Sequence, residues 1–123
     1  MNATISLYQF SAKVRELAVA QFPLIIGRSS HADITLNDRW ASRRHCVIEE
    51  QTGRLCVRDL GSKHGTFIND ARVTEGVLLP GDKLTVGLTA LIADYQPLPE
   101  PQMVPRTISS VGDPHSRLCP TNV

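Results

Sequence analysis

The stretch "LGSKHGTFIND", residues 60–70, follows directly on "RLCVRD", residues 54–59. The first six-residue run alternates: Leu55 and Val57 face one way, while Arg54, Cys56 and Arg58 face the other. That period of two belongs to a half-buried strand. The alternation stops at Leu60. Small residues, polar residues and two glycines follow, before "TFIND" resumes a strand-like pattern. The loop concentrates two hydroxyls, a lysine and a histidine between two strands. It is either a plain chain reversal or a cradle for a ligand.

Working outward, the same short period recurs. In "HCVIEE", 45–50, Cys46 and Ile48 share one face and Val47 and Glu49 the other. "QTG", 51–53, joins this run to the next as a hairpin turn. Further short apolar runs are "TISLYQF", "FPLIIG", "KLTVG" and "ALIADY", separated by turn signals such as Asn37-Asp38, Asn69-Asp70 and Pro80-Gly81. Many short strands at close spacing predict an all-β sandwich or barrel. One segment is ambiguous. "SAKVRELAVAQF", 11–22, places Val14, Leu17, Ala18 and Phe22 at helical spacing, and its composition suits a helix. The β pattern on either side favours a strand.

Composition narrows the class. The 123 residues are 41% hydrophobic and only 5% aromatic, which suits one domain with an aliphatic core. Residues 1–96 carry the patterning. From 97 to 123 the chain holds six of its eight prolines, and this segment reads as a flexible tail or linker. No secretory signal or membrane-length apolar run is present, so a cytoplasmic location is expected. Cys46, Cys56 and Cys119 form no C-x-x-C pair and read as free thiols. Cys46 is expected in the core, and Cys56 on a more exposed face.

The formal charge is +1, which argues against nucleic acid or membrane as the partner. Cations nevertheless cluster locally. Arg28 follows a glycine at the end of an apolar run. "LNDRWASRRH", 36–45, adds three arginines and a serine, and the opening stretch adds Ser62, Lys63, His64 and Thr66. Guanidinium, ammonium, hydroxyl and turn N–H groups brought together would suit a phosphate. Taken singly, Arg39, Arg44 and Lys63 read equally well as solvated loop charges.

Five blocks in order, "IIGR", "ADITLND", "SRRH", "DLGSKHGTFIN" and "LLPGDKLTVG", closely resemble the forkhead-associated (FHA) domain over roughly residues 20–95. The resemblance implies a twisted antiparallel β-sandwich of about eleven short strands. It also implies that loops at one end bind a phosphothreonine-containing segment of another protein. By that resemblance Arg28, Ser42 and Lys63 hold the phosphate. Trp40, Arg43, Ser62 and His64 contact the peptide, with His64 at the position where the family usually carries asparagine. Gly27, His45, Gly65, Thr66 and Asn69 support the loops.

Other function classes find little in the chain. Ser42 and His45 lie three residues apart at a loop-to-strand junction and form no triad. There is no G-x-S-x-G. "GSKHGTF" lacks the Lys-Ser/Thr pair of a nucleotide phosphate loop. The four histidines show no metal-ligand spacing, so neither metal nor cofactor is expected. The expectation is therefore a binding module and not an enzyme; the sequence leaves the oligomeric state open, with a monomer slightly favoured. The alternative is a scaffold of the same fold that binds an unphosphorylated surface.

Overall fold

A computed structural model of the chain describes residues 1–97. Eleven strands follow one another: β1 (Ala3–Gln9), β2 (Ala12–Val19), β3 (Leu24–Gly27), β4 (Ile34–Thr35), β5 (Cys46–Gln51), β6 (Arg54–Asp59), β7 (Thr66–Ile68), β8 (Ala71–Val73), β9 (Glu75–Leu78), β10 (Lys83–Val86) and β11 (Thr89–Tyr95). They form a six-stranded sheet in the order β2-β1-β11-β10-β7-β8 and a five-stranded sheet in the order β4-β3-β5-β6-β9. The all-β reading holds, and the ambiguous segment is the strand β2. Pairing is antiparallel except between β3 and the two-residue β4, which run parallel.

Period-two patterning places the core between the sheets. Ala3, Ile5 and Leu7 of β1 are buried in alternation, as are Leu91, Ala93 and Tyr95 of β11. Ile26, Ile48, Leu55, Val57 and Leu78 meet them from the five-stranded sheet. Two-residue turns set the register. Thr52-Gly53 and Asn69-Asp70 both have positive φ, as a tight hairpin connection of matching twist requires. The β1–β2 turn has the same geometry at Phe10-Ser11, where no Gly, Asn or Asp announces it. The run "TISLYQF" therefore ends as a strand one residue early.

Cys46 is fully buried beside Ile48, and burial pushes its thiol up to about 12, with Asp59 adding to the effect. Cys56 corrects the expectation of exposure. It is only 2% exposed, packed with Val77 and Leu79 on the outer face of its sheet. Long polar side chains account for this. Glu49, paired with Cys56 across β5–β6, bridges to Arg58 at 3.4 Å, and Gln51 accepts a weak bond from the Cys56 thiol. The stems of such residues cover apolar surface while their heads stay in water. Both cysteines are free. Cys119, and the proline-rich segment from residue 98, lie outside the described residues.

Tyr95 ties the two sheets together where the last strand ends. Its buried hydroxyl donates to Leu78 O at 2.6 Å and accepts from Leu55 N at 3.2 Å. Removing that oxygen leaves two buried backbone groups without this partner, at a cost of about 1–3 kcal/mol. Tyr95→Phe is expected to lower the melting temperature by several degrees. An unchanged melting curve would show that the hydroxyl contributes nothing to closing the sandwich.

Candidate functional site

The loops β3–β4, β4–β5 and β6–β7 and the turn β10–β11 converge at one end of the sandwich. Gly27 makes their approach possible. A Cβ there would stand 2.1 Å from Arg43 O and 2.8 Å from Ser42 O, so only glycine lets the β4–β5 loop lie flat on β3. Arg28 N then donates to Ser42 O at 2.9 Å and Ser29 N to Arg43 O at 3.2 Å. The two segments are stitched side by side past the end of the sheet.

His45 joins this pair of segments to the β6–β7 loop. Its ring is completely buried. Ser42 N donates to Nδ1 at 3.0 Å, which places the ring proton on Nε2, and Nε2 donates to Gly65 O at 2.7 Å. Its backbone continues the same function, with His45 N donating to Ile26 O and His45 O accepting from Leu60 N. Lys63 N closes the junction on Ser42 Oγ at 3.0 Å. That contact uses an acceptor lone pair of Ser42 and leaves its hydroxyl proton available.

Two carboxylates that sequence reasoning did not single out shape the loops. Asp59 Oδ1 accepts from the hydroxyls of Ser62 at 2.5 Å and Thr66 at 2.6 Å, and Oδ2 accepts from Gly61 N and Ser62 N at 3.0 Å each. Partial burial opposes ionisation, but these four hydrogen bonds outweigh it and hold the Asp59 carboxyl below the usual aspartate range. Asp38, 6% exposed, braces other loops. It accepts from Trp40 N on Oδ1, and from Leu88 N and the Thr89 hydroxyl on Oδ2. A signal for Asp59 was present in "DLGS…T": a strand-ending carboxylate followed by exposed N–H groups and two hydroxyls.

The residues marked in the sequence divide accordingly. Arg28 Nε donates to Ala41 O at 3.1 Å, which fixes the guanidinium plane, and its two Nη groups make no hydrogen bond or ion pair among the described residues. Arg28 and Lys63 both meet Ser42 through their backbones at this end, Arg28 N on Ser42 O and Lys63 N on Ser42 Oγ. The exposed Arg43 and Arg44 lie beside them, and neither has an ion-pair partner among the described residues. Trp40 and His64 come from different loops and pack edge to face, with ring centroids 4.8 Å apart. Ser62 differs from its expected place at the peptide. Its hydroxyl is turned inward, donating to Asp59 and accepting from Gly65 N. Asn69 lies away from these loops. It braces the β7–β8 hairpin by bonding to Asp82 and to Lys83 N. Gly65 adopts φ +92, with Arg72 lying over it. No three His, Cys, Asp or Glu side chains converge as metal ligands among the described residues. None of those residues forms a helix long and apolar enough to cross a membrane.

The depressed Asp59 value sets a sign for pH. An aspartate whose folded pKa lies below its unfolded value contributes stability that is complete above the ordinary value of 3.8, and loses it as pH falls through the folded value. Asp59→Asn cannot accept all four bonds, so it is expected to lose about 1–3 kcal/mol at neutral pH. Its stability should also fall less steeply on acidification than the parent's. Parallel acid limbs in chemical denaturation would contradict that role.

The geometry can be placed beside known proteins. The family model described as "FHA domain" matches residues 24–87, just over half of the chain. FHA domain-containing protein FhaB of Mycobacterium tuberculosis H37Rv is 34% identical over 76 residues, which cover 61% of this chain and 49% of FhaB. Glycogen accumulation regulator GarA of Mycolicibacterium smegmatis is 38% identical over 66 residues, 54% of this chain and 42% of GarA. The chain thus matches about half the length of these curated relatives. A solved structure from a study of phosphothreonine-dependent FHA domain interactions superposes with a TM-score of 0.70 at 33% identity, covering 80% of this chain and all of that one. The FhaA FHA domain complexed with the intracellular domain of Rv3910 gives 0.66 at 33% identity, covering 74% of this chain and 98% of that one. With the matched blocks carrying the loop cluster and the two-sheet topology reproduced, the chain belongs to the FHA-domain family.

Proposed function

We propose that this chain is a phosphopeptide-binding module that recognises phosphothreonine in a partner protein and performs no catalysis. The reading rests foremost on the free hydrogen-bonding edge of Arg28. The guanidinium is tethered by Nε to Ala41 O, and both Nη groups are left without an acceptor among the described residues. A phosphate supplies that acceptor, since its oxygens match the planar fork of arginine. The Ser42 hydroxyl proton adds a second donor, and the Lys63 ammonium adds charge. A phosphothreonine carries roughly −1.5 to −2 near neutral pH, enough to balance the charges of Arg28 and Lys63. Solved FHA structures 33% identical to this chain come from phosphothreonine-dependent interactions and from a complex with another protein's intracellular domain.

In this reading the Trp40–His64 pair, packed edge to face, and Arg43 contact the peptide. His64 offers its ring where the family usually offers an asparagine amide. Ser62, with its hydroxyl committed to Asp59, serves the loop's shape in this reading. The domain occupies residues 1–96, and 97–123 serve as a tail or linker. The buried free cysteines suit a reducing, cytoplasmic setting.

Each hydrogen bond to a charged group contributes about 1.5–3 kcal/mol. Arg28→Ala and Ser42→Ala are each expected to weaken binding of a phosphothreonine peptide by about tenfold or more, with melting temperature close to the parent's. A matched phosphoserine peptide should bind more weakly, and the unphosphorylated peptide not at all. Trp40 is the single tryptophan, so its fluorescence should report the titration directly. Equal binding of phosphorylated and unphosphorylated peptides would instead establish the phosphate-independent scaffold.

A further inference from the structure

Phe10 is an anomaly that the fold does not explain. It occupies the first central position of the β1–β2 turn at φ 53, with Ser11 following at φ 67, between the paired residues Gln9 and Ala12. Such turns favour Asn, Asp or Gly, because a bulky side chain is strained at positive φ. Phe10 is also 87% exposed, so its ring gains almost nothing from the core. Strain together with exposed apolar area points to a use outside the fold.

Its neighbours share the property. Among the described residues four large hydrophobic side chains are exposed, and Trp40 (47%), Leu88 (53%) and Phe10 all lie at the loop end. Polar contacts tie the turns that carry them to one another. Asp38 binds Trp40 N with one oxygen and Leu88 N with the other. Gln9, next to Phe10, donates to the hydroxyl of Thr89, next to Leu88, and to Asn37 O. The exposed side chains of Trp40, Leu88 and Phe10 are thus carried on neighbouring turns, as an apolar ridge that begins two positions before Ser42.

We infer that this ridge binds apolar side chains of the same extended segment that presents the phosphothreonine, continuing the peptide site beyond Trp40 to the β1–β2 turn. The inference rests on the phosphothreonine reading above. Continuity with the cradle argues for this occupant, because a chain leaving the phosphate past Trp40 runs onto Leu88. Length agrees as well. Ser42 lies two positions after Trp40, one carboxylate separates Trp40 N from Leu88 N, and one strand pair separates Thr89 from Gln9. Together these steps span roughly 15–20 Å, which an extended peptide covers in about five or six residues.

The test is a phosphothreonine peptide library, degenerate well past that distance on both sides, screened against the full chain, Phe10→Asn and Leu88→Asn. Asparagine suits the Phe10 turn, so Phe10→Asn should melt at or above the parent's temperature. The parent should enrich large apolar residues at a position about four to six residues from the phosphothreonine. Either variant should lose that enrichment and bind the selected peptide about tenfold more weakly, the factor expected for one buried apolar side chain. Phosphate-dependent binding without apolar enrichment, or enrichment unchanged in the variants, overturns the ridge alone. Loss of phosphate dependence overturns both readings. Concentration-dependent self-association of the parent, abolished in Phe10→Asn, would assign the ridge to a second copy of the chain and overturn the inference too.

Discussion

The binding end depends on one buried imidazole. His45 receives Ser42 N on one ring nitrogen and donates to Gly65 O with the other, so two loops distant in sequence meet on a single rigid ring. Both backbone groups depend on the ring for these bonds. Each would carry a penalty of about 1–3 kcal/mol if the ring were removed. Because Ser42 N is fixed, its hydroxyl is aimed; because Gly65 O is fixed, Lys63 N falls on that hydroxyl. A site assembled this way needs little reordering when a ligand arrives, and ordering costs subtract directly from affinity.

Charge separation follows from the same construction. Asp38 and Asp59 are turned inward and spent on backbone N–H and hydroxyl donors. The loop cations are therefore left without neutralising carboxylates among the described residues, although the whole chain is nearly neutral at +1. Acidic residues sit elsewhere in ion pairs, as at Arg58–Glu49 and Lys83–Asp70. A local positive face on a neutral protein favours a single anionic group over an extended polyanion.

Much of this was legible in the sequence. Period-two alternation located β5 and β6, and the dipeptides Thr52-Gly53 and Asn69-Asp70 gave the β5–β6 and β7–β8 turns. Spaced blocks marked Arg28, Ser42 and Lys63, whose loops the fold joins through the Arg28 N–Ser42 O and Lys63 N–Ser42 Oγ hydrogen bonds. What escaped depends on contacts between distant segments. Asp38 and Asp59 look like ordinary turn residues until the third dimension supplies their donors. The inward turn of the Ser62 hydroxyl follows from Asp59 and was invisible for the same reason. Cys56 sits on the predicted face, yet neighbours on paired strands cover it. The β1–β2 turn carries an aromatic where turn chemistry predicts a small or polar residue, so no local signal marked it.

The tautomer of His45 tests the central claim most directly. A long-range proton–nitrogen NMR spectrum of the free protein resolves which ring nitrogen carries the hydrogen. A single Nε2–H form with a slowly exchanging ring proton is expected, because Nδ1 accepts from Ser42 N and burial excludes water. An Nδ1–H ring, or an average over both forms, would contradict it and leave the loops without their common support.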